Sequence, residues 1–434
     1  MRVFIAQKYE LGERWDPMMV AYRRNLSHFK YQPVSLASLL ISPPQYGANE
    51  SGIKRISEQQ VRYIRITDIN DNGLLNNNLG ATVERINAKY ILNHNDLLFA
   101  RSGATVGKTF LYKKNLYNYP CLFAGYLIKF QLNPSIVIPD YLFIYTQLSS
   151  YKDWIIATQR AAAQPNINAE EYKSLQVPLP PLTVQNKIYE IYHFAVLNKQ
   201  KKEQEAKDLL DSIDDYLLSE LGIERPERTE NGRFFYTSFK EITGGELAPI
   251  SVQNRGKQSK STQYKEIKLS TIASITKGQA ITSKEIVDGE YPVIAGGQSS
   301  PYTHNQYNHK GDVITVSASG AYSGYVWYHD YPIFASDCSV IFSKDNNVFL
   351  TKYIYEILRL RQKEIYLLQK GAGQPHVYAS DLAQITIPVV SIEKQMEIIL
   401  HCNNLRIAAD ELTQEGKNLV ESAKITIEAM ILGE

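Results

Sequence analysis

Ser102-Gly-Ala-Thr-Val-Gly-Lys-Thr109 is the stretch of this 434-residue chain that looks most like a phosphate loop. Such a loop needs four residues between its glycines and a helix after its Lys-Ser/Thr pair, so that backbone amides ring the phosphates at a helix N-terminus. Here three residues separate Gly103 from Gly107, and the continuation Phe110-Leu-Tyr112 reads as a strand. A parallel stretch, Asp312 to Gly324, is followed by Tyr325 where the lysine would stand. Nucleotide binding is therefore not indicated. The eight histidines are scattered, with no pair at helical metal spacing beside a carboxylate. Cys121, Cys338 and Cys402 are isolated, which indicates neither a disulfide framework nor a zinc site and fits a reducing compartment. No nucleophile, base and orienting group can be picked out.

Ser42-Pro-Pro-Gln45 shares its prolines with the Asn/Asp/Ser-Pro-Pro-aromatic motif of amino-methyltransferases. Gln45 replaces the aromatic, and no Gly-rich cofactor loop precedes it between a strand and a helix, so methyl transfer by this chain is not supported. Hydrogen-bond donors beside turns are better candidates. In the first half these are Arg62, Arg65, Arg101, Ser102, Lys108, Gln164 and Asn166. In the second half they are Lys277, Gln279, Gln298, Ser317, Ser319, Tyr322, Gln374 and His376. Arg paired to guanine, and Gln or Asn to adenine, are the side chains that read a DNA major groove. The same residues could simply solvate loops, and Gln164 and Gln374 could cap backbone. Gly103, Gly107, Gly320 and Gly324 read as turn formers.

Two long stretches must position these loops. Gln185–Leu221 contains neither Gly nor Pro, follows Pro178-Leu-Pro-Pro181 and stops at Gly222, where a C-terminal glycine closes a helix. Ile188, Ile191, Ala195, Ala206, Leu209, Ile213 and Tyr216 recur at threes and fours, which predicts a coiled-coil seam on a rod of about 55 Å. Gln395–Leu432 repeats the plan with Ile398, Leu405, Ala408, Leu412, Leu419, Ala423, Ile427 and Met430. Asn198, Lys202 and Gly416 weaken the middle of the seams. Gln164-Pro-Asn-Ile167 aligns with Gln374-Pro-His-Val377, and Gln185 with Gln395, at a constant offset of about 210 residues: an internal duplication. The rods can cover each other, or each can pack on its own domain.

The rest is β-rich, with strands expected at 34–38, 61–67, 90–92, 96–100, 110–112 and 125–130, and a helix from Pro139 to about Ala157. The expected domains are 1–180, a helix over 181–222, a polar linker over 223–262, a second β-rich domain over 263–388 and a helix over 389–434. Residues 1–180 carry 20 Lys and Arg against 13 Asp and Glu, whereas both helices are acidic. A basic domain points to nucleic acid only weakly. No apolar run reaches membrane length and the N-terminus has no long apolar leader, so a cytoplasmic protein without a membrane partner is expected.

The repeated order of a β-rich domain, a Gln-Pro-Asn-Ile type turn, then Val177-Pro-Leu-Pro-Pro-Leu182, Gln185 and a long helix resembles the specificity subunit of type I restriction–modification systems. Arg14-Trp-Asp-Pro17, Tyr63-Ile-Arg-Ile-Thr-Asp68, Tyr291-Pro-Val-Ile-Ala-Gly-Gly297 and Ser317-Ala-Ser-Gly-Ala-Tyr322 share in it. The resemblance implies an α+β protein: two target recognition domains joined by two long antiparallel helices in a coiled coil, with an internal pseudo-twofold repeat. It implies partners: double-stranded DNA with a split target, two methyltransferase subunits and a restriction/translocase subunit. The subunit itself would be non-catalytic and hold no cofactor, while S-adenosylmethionine, ATP and Mg would belong to the partners. Open alternatives are the recognition subunit of a related bipartite-site system, a coiled-coil docking protein that does not read DNA, and an autonomous enzyme.

Overall fold

In the computed structural model, residues 17–26, 28–70, 72–159, 165–224, 259–371 and 373–432 are described. They fall into two compact units, Met1–Glu203 with Thr413–Glu434, and Gln204–Leu412. The unit boundary cuts both long helices, Leu182–Glu220 and Ile392–Leu432, so each unit owns one β-module and a part of both helices.

The first unit contains β1 (Pro33–Ser35), β2 (Gln45–Tyr46), β3 (Ile53–Lys54), β4 (Arg62–Ile64), β5 (Ala81–Thr82), β6 (Leu97–Ala100), β7 (Thr109–Leu111), β8 (Cys121–Phe123), β9 (Leu127–Phe130) and β10 (Gln176–Pro178). One sheet runs β2-β9-β6-β7, a second β3-β5-β4-β8, and β1 pairs with β10. Among its described strands one pair, β4 and β8, is parallel, with Tyr63 opposite Leu122. All four residues of β6 and all four of β9 are buried, as expected for strands covered on both faces. Phe99, Phe130, Tyr151, Trp154 and Tyr172 form the aromatic centre of the core.

The second unit holds β11 (Ile223–Glu224), β12 (Lys260–Ser261), β13 (Glu266–Lys268), β14 (Ala273–Lys277), β15 (Tyr291–Ile294), β16 (Thr303–His304), β17 (Val313–Ser317), β18 (Val326–His329), β19 (Phe334–Ala335), β20 (Cys338–Ser343) and β21 (Thr386–Pro388). Its sheets run β14-β20-β17-β18 and β16-β15-β19, with β13 against β21 and β11 against β12. Again one pair, β15 and β19, is parallel. The four-stranded sheet, the parallel pair and the strand pair before the long helix recur in both units, while the sheet with the parallel pair has three strands here instead of four and β11 with β12 has no counterpart among the described residues of the first unit.

The same clamp recurs at the start of each helix. Gln185, fully buried, accepts from the Ile138 amide (2.8 Å) and donates to the Pro180 (2.8 Å) and Ile136 (3.2 Å) carbonyls. Gln395, also fully buried, accepts from the Leu350 amide (2.8 Å) and donates to the Val348 (2.8 Å) and Val390 (3.2 Å) carbonyls. An amide side chain is the one group that can satisfy a donor and two acceptors at a helix start. Gly222 closes the first helix at φ +56°.

Within each unit the helices run antiparallel. In the first, Tyr192 lies near Glu421, Lys199 against Gly416, and Lys202 pairs with Glu415. In the second, Tyr216 packs on His401 and Lys394 pairs with Glu220. A Cβ on Gly416 would lie 3.3–3.4 Å from Lys199, so the glycine sits where the backbones approach closely. Of the expected seam positions Ile188, Ala195, Ile213 and Ile398 are buried, while Ile191, Leu209, Leu405, Leu412, Leu419 and Met430 are half-buried. Tyr192, Leu217, Cys402, Ala409, Val420 and Ile431 on the same helices are buried too. Ile188, Ala195, Val420 and Ile427 also belong to the core of the first β-module. The helices thus cover each other and pack on their modules.

Several expected elements differ. The helix expected from Pro139 to Ala157 is two, Pro139–Tyr145 and Ser149–Thr158. The break turns Thr146 and Gln147 onto Thr109, which meets the Thr146 hydroxyl at 2.6 Å and accepts from Gln147 at 2.9 Å. Of the strands expected at 34–38 and 90–92, residues 36–38 belong to the 3-10 turn Leu36–Leu39 and Tyr90 to the 3-10 turn Ala88–Tyr90, and Pro17–Leu26, ahead of the first expected strand, form a helix. Of the expected linker, Ile223–Glu224 and Lys260–Ser261 pair as strands; residues 225–258 lie outside the described residues, as do Arg14 to Asp16 and Gly433.

His329 on β18 is wholly buried, its Nε2 is 2.8 Å from the Thr315 hydroxyl, and burial pushes its pKa down to about 4. The folded state therefore disfavours the imidazolium that the unfolded chain accepts at its ordinary value near 6.5. Stability present above pH 6.5 is lost as pH falls towards 4, by about 3 kcal/mol. Urea unfolding at pH 7 and pH 4.5 is expected to show this loss, and His329→Gln to remove most of its share.

Candidate nucleic-acid interface

The hairpin between β6 and β7 and its counterpart between β17 and β18 carry most of the candidates, and one hydrogen-bond framework shapes both. Gly103 donates to the Pro165 carbonyl at 3.0 Å and Ile167 to the Arg101 carbonyl at 2.8 Å. Gly320 donates to Pro375 and Val377 to Ala318, each at 3.0 Å. Ser102 bridges Asn166, and Ser319 bridges His376. The Gln-Pro turns are thus stitched to the hairpin loops. Gly107 and Gly324 end the loops at φ +89° and +92°. A Cβ on Gly107 would stand 2.8 Å from Ile155, so a side chain there meets both a wall and a left-handed backbone.

On this frame the candidates separate. Arg101, half-buried, lies with its guanidinium 4.9 Å from the centre of the Tyr46 ring and donates through Nε to Asn166 Oδ1 at 3.4 Å. Asn166 is exposed, and Lys108 is half-buried at the end of the same hairpin. Ser102 is buried. Gln164 lies outside the described residues. Arg65 is partly exposed but grips Asp68 through Nε at 2.9 Å and Nη2 at 3.1 Å, and that hydrogen bonding holds its guanidinium above the usual value.

Arg62 needs correction. It is buried, donating to the Tyr119 hydroxyl (3.2 Å), the Asn76 carbonyl (3.0 Å) and Asn78 Oδ1 (3.2 Å), which makes it a strut beneath the 76–80 loop, not a surface donor. Arg55, also buried, stacks on Tyr119 at 3.9 Å from the ring centre.

In the second unit Lys277, Gln279, Gln298, Tyr322 and Gln374 are exposed. Ser317 is also corrected: it is a buried strand residue whose hydroxyl turns inward to the Gly297 carbonyl at 3.3 Å. Ser319 donates to Asp337. His376 stacks on Tyr378 with ring centres 6.2 Å apart. Lys370 lies 5.5 Å from the Tyr378 ring centre and pairs with Asp381 at 2.9 Å.

Sequence reasoning missed Tyr46, Lys370 and Tyr378. Tyr378, two residues beyond His376, was within reach of the Gln-Pro motif; Tyr46 carried no signal, since it joins Arg101 only through sheet pairing. Among the described residues no three His, Cys, Asp or Glu side chains gather as metal ligands, and no helix is long and apolar enough to cross a membrane. The three cysteines are buried, which pushes each thiol up to about 12.

A duplicated β-module, a pair of helices shared by both copies, and unlike polar loops on one framework together define a two-copy reader. The sequence profile of the type I restriction modification DNA specificity domain matches residues 50–210 and 261–422. The chain belongs to that family and carries its domain twice, as the DNA sequence-recognition subunit of a type I restriction–modification system. It is 22% identical over 287 residues to a putative type I specificity subunit of Mycoplasma pneumoniae, covering 65% of this chain and 70% of that one. It is 25% identical over 132 residues to the type I restriction enzyme MjaVIII specificity subunit of Methanocaldococcus jannaschii, covering 28% of this chain and 29% of that one. A chain from a structure of type I complex assembly and conformational transition shares the fold, with TM-score 0.53, 12% identity and coverage of 93% and 96%. Specificity subunits of this family are the non-catalytic components.

Proposed function

We propose that this chain reads a bipartite target in double-stranded DNA, one half with each copy of the domain. It holds two methyltransferase subunits and, through them, a restriction/translocase subunit. The helices that contribute to both units set the spacer between the half-sites. Methylation with S-adenosylmethionine, and ATP- and Mg-dependent cleavage, are the partners' chemistry, carried out in the cytoplasm. The observation that carries this reading is the pair of loop frameworks with matching backbone bonds and different side chains: Arg101 and Asn166 in one, Ala318 and His376 in the other. Equal scaffolds with unequal readers suit two unlike half-sites. Basic side chains supply salt-dependent affinity and the loops supply sequence.

Methylome sequencing of cells with and without this chain tests the proposal. One split adenine-methylation motif is expected to vanish on deletion and return on complementation. A methylome indifferent to the chain would overturn it.

A further inference from the structure

The Arg101 side chain is held unlike any other candidate donor. Its backbone is fixed on both sides, the amide donating to the Tyr126 carbonyl at 2.9 Å and the carbonyl accepting from Ile167 at 2.8 Å. One guanidinium face lies over Tyr46, whose own hydroxyl accepts from the Ala169 amide at 3.1 Å and so cannot swing away. Nε is taken by Asn166. Among the described residues neither terminal nitrogen has an acceptor. Tyr46, Tyr126 and Asn166 around it are all exposed.

A guanidinium whose plane and Nε are fixed, with both terminal nitrogens open, is a pre-set fork. The fork geometry matches two adjacent acceptors in one plane, and among base edges in the major groove only guanine presents that pair, O6 and N7. We infer that Arg101 is the specificity-determining residue for a guanine in the half-site read by the first copy, with Tyr46 and Asn166 as its positioning residues. This rests on the DNA-reading function proposed above. The second copy lacks the device. Ala318 takes the Arg101 place in its framework, accepting from Val377 and donating to the Asp337 carbonyl, and Ser319 is engaged with Asp337. The guanine requirement therefore belongs to one half of the target.

The rival role for an exposed arginine is a phosphate clamp, which positions without reading. Lysine separates the two, because it keeps the charge and loses the fork. The assembled complex, with its methyltransferase subunits, is compared as wild type, Arg101→Lys and Arg101→Ala by methylome sequencing and by DNA binding to targets varied one base at a time. Exchange of residues 263–388 first identifies the half read by the first copy. One guanine position in that half is expected to turn degenerate in both variants, with discrimination falling roughly 5- to 150-fold, while the other half stays as it was. A half-site without guanine, a guanine still required in Arg101→Lys, or weakening that is uniform across all sequences overturns the inference and leaves the proposed function intact. A wild-type complex with no motif at all removes both.

Discussion

Replacing residues 263–388 with the corresponding domain of another specificity subunit is expected to change one half of the methylated motif and leave the other half as it was. The effect is all-or-none, because sequence reading is a property of loops and the loops belong to separate cores. The exchange points fall on paired strands. β13 pairs with β21 through Ile267 opposite Ile387, so the segment begins and ends on two adjacent strands and closes on itself. Gln395 keeps the Val390 carbonyl in the recipient chain, whereas its partners Leu350 and Val348, and the Glu356 partner of Arg406, come with the exchanged piece, so the donor domain must supply the same groups at those places. The buried pair of Arg361 with Glu266, at 2.8 Å, travels whole within the exchanged piece. The first module's core, around Phe99 and Tyr172, contains no residue of 263–388. Motifs read before and after the exchange by methylome sequencing decide it. A hybrid that methylates the original motif, or changes both halves together, would show that the copies do not read independently.

The duplication was legible because the offset of about 210 residues holds without gaps from the Gln-Pro turns into the helices, and packing enforces it: both glutamines satisfy the same three backbone groups. Helical periodicity picked out positions that are buried or half-buried, but not all the buried ones. The buried positions Ala409, Val420 and Ile431 stand one residue beyond Ala408, Leu419 and Met430, because each helix packs on a β-module as well as on its partner. The loops were legible as turns, from their glycines, and hardly at all as sites. Arg62 and Arg101 are the same residue type beside similar turns. Partners 14 to 57 residues away bury the first, whereas sheet pairing of β2 with β9 and of β9 with β6 brings Tyr46 to the second. Nothing local in the sequence distinguishes them. Helix propensity likewise gave no warning of the break at Thr146, where the hydroxyl meets that of Thr109, 37 residues away.

Arg406→Leu is expected to destabilise the second unit by about 3–5 kcal/mol, well beyond the range of most single substitutions. Arg406, on the second long helix, grips Glu356, on the helix Thr351–Leu360, through both terminal nitrogens at 2.8 and 2.6 Å. Glu356 is fully buried and Arg406 keeps a quarter of its side chain exposed. That asymmetry sets the direction of the single effects. Without Arg406 the carboxylate has no route to water, and the nearby ammonium of Lys352, stacked on Tyr328 at 3.9 Å, compensates it only in part. Without Glu356 the guanidinium can turn outward and rehydrate, so Glu356→Leu costs less, about 1–3 kcal/mol. Removing both charges deletes the desolvation problem along with the bond, and the double variant is expected to lose clearly less than the sum of the single ones. Urea unfolding of the four proteins gives the cycle. Equal losses for the two single variants, or strict additivity, would mean that Glu356 is stabilised by its surroundings without Arg406 and that the ion pair does not tie this helix to its module.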